Sequence, residues 1–185
     1  MNLVIGLTGP NAAGKGEVAA HLASLGFKVH SLSDVVREEA AGHGLPPERA
    51  NLIRIGNELR RQGGAGVLAQ RILSRLEDRA VVDSIRNPAE VQVLRNGLSR
   101  FVLVGVTAPV EVRFRRSVAR GRGGDPLSLE QFESMERQEN AADPTAQQLD
   151  ATFRLADRTV DNRDDLVALH GEVERLLDEI QSRGV

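Results

Sequence analysis

The apolar residues of this chain gather in five short runs, at 3–7, 27–30, 80–83, 101–106 and 159–161. Each is too short for a helix, and the longer ones show no alternation with polar residues. A near-continuous apolar run of this size is a strand covered on both faces, the kind that builds parallel sheets. Between the runs, apolar positions fall three or four apart, as at Val18, Leu22 and Leu25, which marks one face of a helix. Strands alternating with helices predict an α/β fold, a parallel sheet with helices on both faces.

Several helix starts are legible. Asn87-Pro88 and Asp143-Pro144 read as an N-cap followed by proline in the first turn. Ser128 with Gln131 reads as a capping box. The last helix is expected from about 164 to 181, with Val167, Leu177 and Ile180 among its apolar residues. Segment 46–76 carries two helical patterns where a simple crossover needs fewer residues. Gly63, Gly64 and Gly66 are placed to separate the two helices, and the extra length suits a helical flap for a second substrate.

Chemistry enters directly after the first apolar run, in Gly9-Pro10-Asn11-Ala12-Ala13-Gly14-Lys15-Gly16. A glycine-bounded loop between a strand and a helix lets successive backbone N–H groups point inward. The helix that follows aims its positive end at the same spot, so the loop cradles phosphates. Lys15 adds a mobile charge for the β- and γ-phosphates of a nucleoside triphosphate. It is one of only two lysines, with Lys28, among 24 Lys and Arg residues. The usual pattern ends in Gly-Lys-Ser or Gly-Lys-Thr; here Gly16 and then Glu17 follow the lysine. That removes a magnesium-binding hydroxyl and puts a carboxylate at a helix N-terminus. Glu17 then either helps to hold the metal, through water, or points away.

Three further stretches collect arginines. Ser31-Leu32-Ser33-Asp34-Val35-Val36-Arg37 lies just past the second strand. At this point the chain resembles nucleoside monophosphate kinases of the adenylate kinase type, which carry S-T-G-D-x-x-R. Ser31, Asp34 and Arg37 match, and Ser33 stands where that family has glycine. The resemblance implies that Arg37 contacts the phosphate of the acceptor nucleotide. Asp83 ends the third apolar run, where a carboxylate faces the ligand crevice of a parallel sheet and can hold magnesium through water. The family has D-G-F-P-R here, and Arg86 falls one place before its arginine. Arg113, Arg116 and Arg120 share one helix face, followed by Gly121-Arg122-Gly123-Gly124. This resembles the family's lid, whose arginines close over the triphosphate. Arg137 is a further lid or acceptor candidate, and Arg60, inside the flap, is an acceptor candidate with a solvated surface arginine as its alternative.

Composition narrows the classes. The 185 residues suit one domain, and there is no cysteine, which excludes disulfides and thiolate metal sites. A net charge of −2, no Tyr or Trp and only five Phe argue against a nucleic-acid surface. No apolar run reaches membrane-spanning length, so a cytoplasmic protein is expected. The four histidines are scattered, and no metal centre is read from them.

Over most of its length the chain is also similar to archaeal dephospho-CoA-kinase-like ATPases and to the kinase-like domain of deoxycytidylate deaminase-type fusions. The shared stretches are Ser31 to Arg37, Asp83 to Arg86, Arg113 to Pro126 and Ala156 to Asn162. These resemblances imply a P-loop sandwich with strand order 2-3-1-4-5. They divide it into a core (1–36, 77–112, 139–185), an acceptor flap (37–76) and a lid (113–138). They imply Mg2+ with ATP as cofactor and small-molecule nucleotides as partners, with the chain a monomer or homodimer. The expected reaction is ATP-dependent phosphoryl transfer to a nucleoside or deoxynucleoside monophosphate. ATP would sit on residues 9–17; Lys15, Asp83, Arg116, Arg120 and Arg122 would act in transfer; Asp34, Arg37, Arg60, Arg86 and Arg137 would serve the acceptor. The alternatives are a dephospho-CoA-type kinase, with Asp34 as base, and a nucleotide-binding regulatory module without transfer.

Overall fold

The computed structural model describes residues 3–121, 128–140, 143 and 146–182. Five parallel strands form one sheet: β1 (Leu3–Thr8), β2 (Lys28–Ser31), β3 (Arg79–Asp83), β4 (Phe101–Thr107) and β5 (Arg158–Asp161), in the order β2-β3-β1-β4-β5. Each strand lies within a residue or two of an apolar run. The central strand β1 shows why its run does not alternate. Leu3, Ile5 and Leu7 pack on one face, against Val18 and Leu22 of α1 (Lys15–Ser24) and Leu169 and Val173 of α9 (Leu166–Ser182). Val4 packs on the other face, so both sides of the sheet are buried.

That second face is covered by α2 (Leu32–Gly42), α3 (Arg49–Gly63), α4 (Val67–Leu73) and α5 (Pro88–Gly97), through Leu32, Val35, Leu59, Leu68, Val91 and Leu94 among others. Further along lie α6 (Val110–Arg120), α7 (Leu129–Glu139) and α8 (Leu149–Phe153). The glycine break in segment 46–76 falls as expected: α3 is closed by Gly64 at φ 88°, and α4 opens after Gly66. Among the described residues no helix is long and apolar enough to cross a membrane.

Asn87 caps α5: its side chain accepts from Ala89 N at 2.9 Å, and Glu90 Oε2 accepts from Asn87 N at 3.1 Å. Ser128 caps α7 by accepting from Gln131 N at 3.2 Å. The start expected at Asp143-Pro144 falls on residues that are only partly described. Pro144 lies outside the described residues, and the next described helix begins at Leu149. The described residues before it bond to the β3–α5 loop as well as to one another: Asn87 Nδ2 donates to Ala146 O at 2.9 Å and Gln148 N to Arg86 O at 2.8 Å, while Ala146 N donates to Asp143 O at 3.0 Å.

One buried ion pair ties α3 to α5. Arg60 is 3% exposed and Glu90 0%. Arg60 Nε and Nη2 both donate to Glu90 Oε1, at 3.1 and 2.8 Å. The other oxygen of Glu90 accepts from the backbone N–H of Arg86 at 2.8 Å as well as from that of Asn87. Every strong site on the carboxylate is matched, as a charge this deep requires. Removing the guanidinium alone strands the carboxylate. Arg60→Met is expected to lower the unfolding free energy by about 3 kcal/mol, seen as a lower urea midpoint at unchanged slope. Adding Glu90→Gln to that variant should restore part of the loss, and a single variant as stable as wild type would contradict this account.

Candidate active site

The chain leaves β1 through Gly9 (φ 136°), turns at Ala12 (φ 57°) and enters α1 at Gly14 (φ 100°). Positive φ at the two glycines is steric necessity as well as preference. A Cβ on Gly9 would lie 2.1 Å from Val106 O, and one on Gly14 would lie 1.9 Å from Asn162 Nδ2. Lys15 opens α1, and its ammonium donates to Gly9 O at 2.8 Å and Pro10 O at 2.9 Å. Its pKa is lowered from 10.5 to about 8. Burial is the largest cause; the guanidinium groups of Arg86 and Arg113 add to it, while Asp83 and Glu136 oppose it. Residues from β3, the β3–α5 loop, α6 and α7 thus meet around one ammonium.

Asp83 closes β3. Its Oδ2 accepts from Ser84 Oγ at 3.2 Å, while its Oδ1 is buried with no hydrogen-bond partner among the described residues. A buried carboxylate oxygen left open beside a phosphate loop fits the water shell of a hard divalent cation. Gly16 and Glu17 are exposed in the first turn of α1. A Cβ on Gly16 would meet nothing within 4 Å, so the missing hydroxyl is not a matter of room.

The arginines separate into distinct settings. Arg86, on the β3–α5 loop, donates from Nη1 to Gln147 Oε1 at 3.0 Å. Arg113, 8% exposed, turns inward from α6. It donates to Ala108 O at 3.0 Å and Asn11 O at 3.3 Å, pairs closely with Glu136 and lies 5.5 Å from the Phe132 ring centroid. Arg116, expected as a lid arginine, is bound to the end of β5: Nη1 donates to Asn162 O at 2.9 Å and Nη2 to Asn162 Oδ1 at 3.2 Å. Asn162 in turn donates from Nδ2 to Ala13 O at 2.8 Å, so Arg116 bears on the loop through Asn162.

Arg37 is exposed on α2, pairs closely with Asp34 and donates to Ser33 Oγ at 2.9 Å. Arg120 is exposed at the end of α6, and Arg137 is exposed on α7, 3.9 Å from Glu133. Arg122 lies outside the described residues. Arg60 is a correction on geometry: it is neither solvated nor open to an acceptor, because Glu90 holds its guanidinium inside the fold.

Glu136 and Gln147 had no sequence signal. Glu90 had one: a glutamate three residues after an Asn-Pro start is a capping-box signature. Asn162 was visible only as the end of a shared stretch.

Residues 8–133 match the AAA domain family. A UPF0200 protein of Hyperthermus butylicus is 33% identical over 186 residues, covering 98% of this chain and 97% of its own. A UPF0200 protein of Methanothrix thermoacetophila is 38% identical over 138 residues, covering 74% and 76%. Among solved structures, TT1252 from Thermus thermophilus superposes with a TM-score of 0.58 at 26% identity, covering 98% of this chain and 97% of its own. Shikimate kinase from Acinetobacter baumannii, in complex with shikimate, gives 0.62 at 19%, covering 98% and 94%. A gluconokinase from Sinorhizobium meliloti gives 0.55 at 16%, covering 100% and 98%. The last two likenesses concern the fold alone. Sheet order, phosphate loop and near full-length likeness converge: this chain belongs to the UPF0200 family and is built on a P-loop kinase-like α/β fold.

Proposed function

We propose that the chain transfers the terminal phosphoryl group of ATP to a nucleoside or deoxynucleoside monophosphate. One observation carries the reading: the partly buried Lys15 ammonium at the end of a glycine loop, with Asp83, Arg86 and Arg113 within electrostatic reach. Asp83 and Glu136 offset only part of the charge of two guanidinium groups and an ammonium, and a polyphosphate is the anion such a loop takes to balance the rest.

Transfer between phosphates asks the protein for alignment and charge neutralisation more than for proton chemistry. Loop 9–14 and Lys15 would hold the β- and γ-phosphates. Asp83 would hold Mg2+ through water, with Glu17 as a second candidate, and the ion would supply charge neutralisation on the phosphates. Arg37 and Arg86 would hold the acceptor's phosphate in line. Asp34, paired with Arg37, would orient it. Residues 37–76 would form the acceptor flap and 113–138 the lid. Arg120, Arg122 and Arg137 are the lid's candidates to approach the phosphates on closure, which also excludes water. Arg113 and Arg116 would act through the loop they hold.

The test is a panel of ribo- and deoxyribonucleoside monophosphates, plus dephospho-CoA, with Mg-ATP and coupled ADP detection. Release that depends on a monophosphate is expected, with at least a hundredfold loss in Lys15→Ala. Turnover only with dephospho-CoA would replace the acceptor. Tight ATP binding without turnover would make the chain a nucleotide-binding module.

Two further outcomes follow from the loop. Gly16→Thr supplies the hydroxyl that the open space accepts, and it is expected to lower the half-saturating magnesium concentration by about fivefold or more. The lowered pKa of Lys15 fixes a pH dependence. The protonated amine binds the anion, so triphosphate affinity is flat well below pH 8. It then falls by up to about tenfold per pH unit above that value. At pH 8 binding should take up about half a proton, measurable by calorimetry in buffers of different ionisation enthalpy. Lys15→Met should remove both effects.

A further inference from the structure

A single file of hydroxyl groups joins the acceptor side of this site to its metal side. Arg37 Nη1 donates to Ser33 Oγ at 2.9 Å, and Ser33 Oγ lies 2.9 Å from Ser31 Oγ. Ser31 Oγ donates to Ser84 Oγ at 3.3 Å, and Ser84 Oγ donates to Asp83 Oδ2 at 3.2 Å. Each hydroxyl has one proton to give. Because Ser31 gives its own to Ser84, Ser33 gives its proton to Ser31, and all donors point the same way. The file starts at a cation and ends on a carboxylate, so each bond polarises the next in the same sense.

Ser84 occupies the one place in this file where the backbone resists. Its φ is +66°, left-handed, in a residue type with no special tolerance for that region. The neighbours impose the turn: Ile85 N donates to Leu7 O at 3.2 Å, and Ile85 O accepts from Thr8 Oγ1 at 2.9 Å. Glycine would make this turn without strain. The hydroxyl is what serine adds, and it lands on Asp83, fixing one carboxylate oxygen and leaving Oδ1, buried and unpartnered among the described residues, as the open one.

We propose that Ser84 is a positioning residue for Asp83, and that the Arg37–Ser33–Ser31–Ser84 file sets how strongly Asp83 holds a magnesium ion brought in with nucleotide. The inference rests on the reading of the site given under Proposed function. It assigns Ser84 a role kept at the expense of backbone strain.

The test compares wild type with Ser84→Gly, Ser84→Ala and Ser33→Gly. Calorimetry measures the affinity for a non-hydrolysable ATP analogue with and without magnesium, and thermal unfolding is followed without nucleotide. In Ser84→Gly the midpoint should rise by roughly 2–4 °C as the strained φ is relieved. In both Ser84 variants the magnesium-dependent gain in affinity should fall at least threefold, while magnesium-free affinity stays within twofold of wild type. Ser33→Gly should lower the same gain by a smaller factor. Any transfer activity should fall in kcat, with little change in the KM for ATP. A merely structural serine would move stability and magnesium-free binding together and leave the magnesium gain alone. Variants that keep the wild-type magnesium gain overturn this inference only. Wild type that binds the analogue equally with and without magnesium overturns the reading of the site and this inference with it.

Discussion

The loop at residues 9–14 lies between neighbours that leave no room for two of its side chains. The carbonyl oxygen of Val106 sits 2.1 Å from where Gly9 would carry a Cβ, and the amide nitrogen of Asn162 sits 1.9 Å from the corresponding point on Gly14. Those neighbours come from the ends of β4 and β5, so the loop's path depends on β1, β4 and β5 lying in that order. Asn162 then works in three directions. Its backbone N–H donates to Thr107 O at 2.7 Å, its amide nitrogen holds Ala13 O, and its two oxygens receive Arg116. The guanidinium therefore orients α6 against the loop, and the same helix brings Arg113 to Asn11 O and Glu136. Sheet order, loop shape and helix placement form one chain of contacts.

Charge is arranged on that frame with little slack. The chain as a whole is slightly acidic, at −2, yet Arg86 and Arg113 stand close enough to Lys15 to depress its affinity for a proton. Asp83 and Glu136 offset part of this but do not cancel it. A local excess of positive charge in a partly buried pocket is a standing affinity for anions, and its strength is limited by what the nearby carboxylates return. The buried Arg60–Glu90 pair belongs to a different economy. It is balanced internally, and its reach into the site is mechanical, because Glu90 also holds the backbone amide of Arg86.

The strands were legible because burial on both faces leaves an apolar run with no alternation, as in Leu3 to Leu7. The phosphate loop was legible because glycine and lysine at fixed spacing have few other uses. Arginine roles were much less so. Spacing placed Arg113, Arg116 and Arg120 on one helix face, but not what that face meets: Arg113 finds Glu136, Arg116 finds Asn162, and Arg120 stays exposed. These partners are 23 and 46 residues away in sequence, and nothing local announces them. Arg60 was misplaced because its partner Glu90, marked in sequence only as a capping-box glutamate, carries no sign that it also receives a guanidinium. Ser33, visible only as a departure from a glycine, acquires a meaning once Ser31 and Arg37 are seen on either side of it.

The rarity of lysine gives the site a chemical handle. With its amine pKa lowered to about 8, Lys15 carries more neutral, nucleophilic amine at pH 7 than an ordinary lysine does. The other side-chain amine, Lys28, lies on the exposed edge strand β2, far along the sheet order from the loop's β4 and β5 neighbours. An acylating reagent applied with and without polyphosphate thus reports on Lys15 against Lys28 and the terminal α-amine, and the 22 arginines contribute no background.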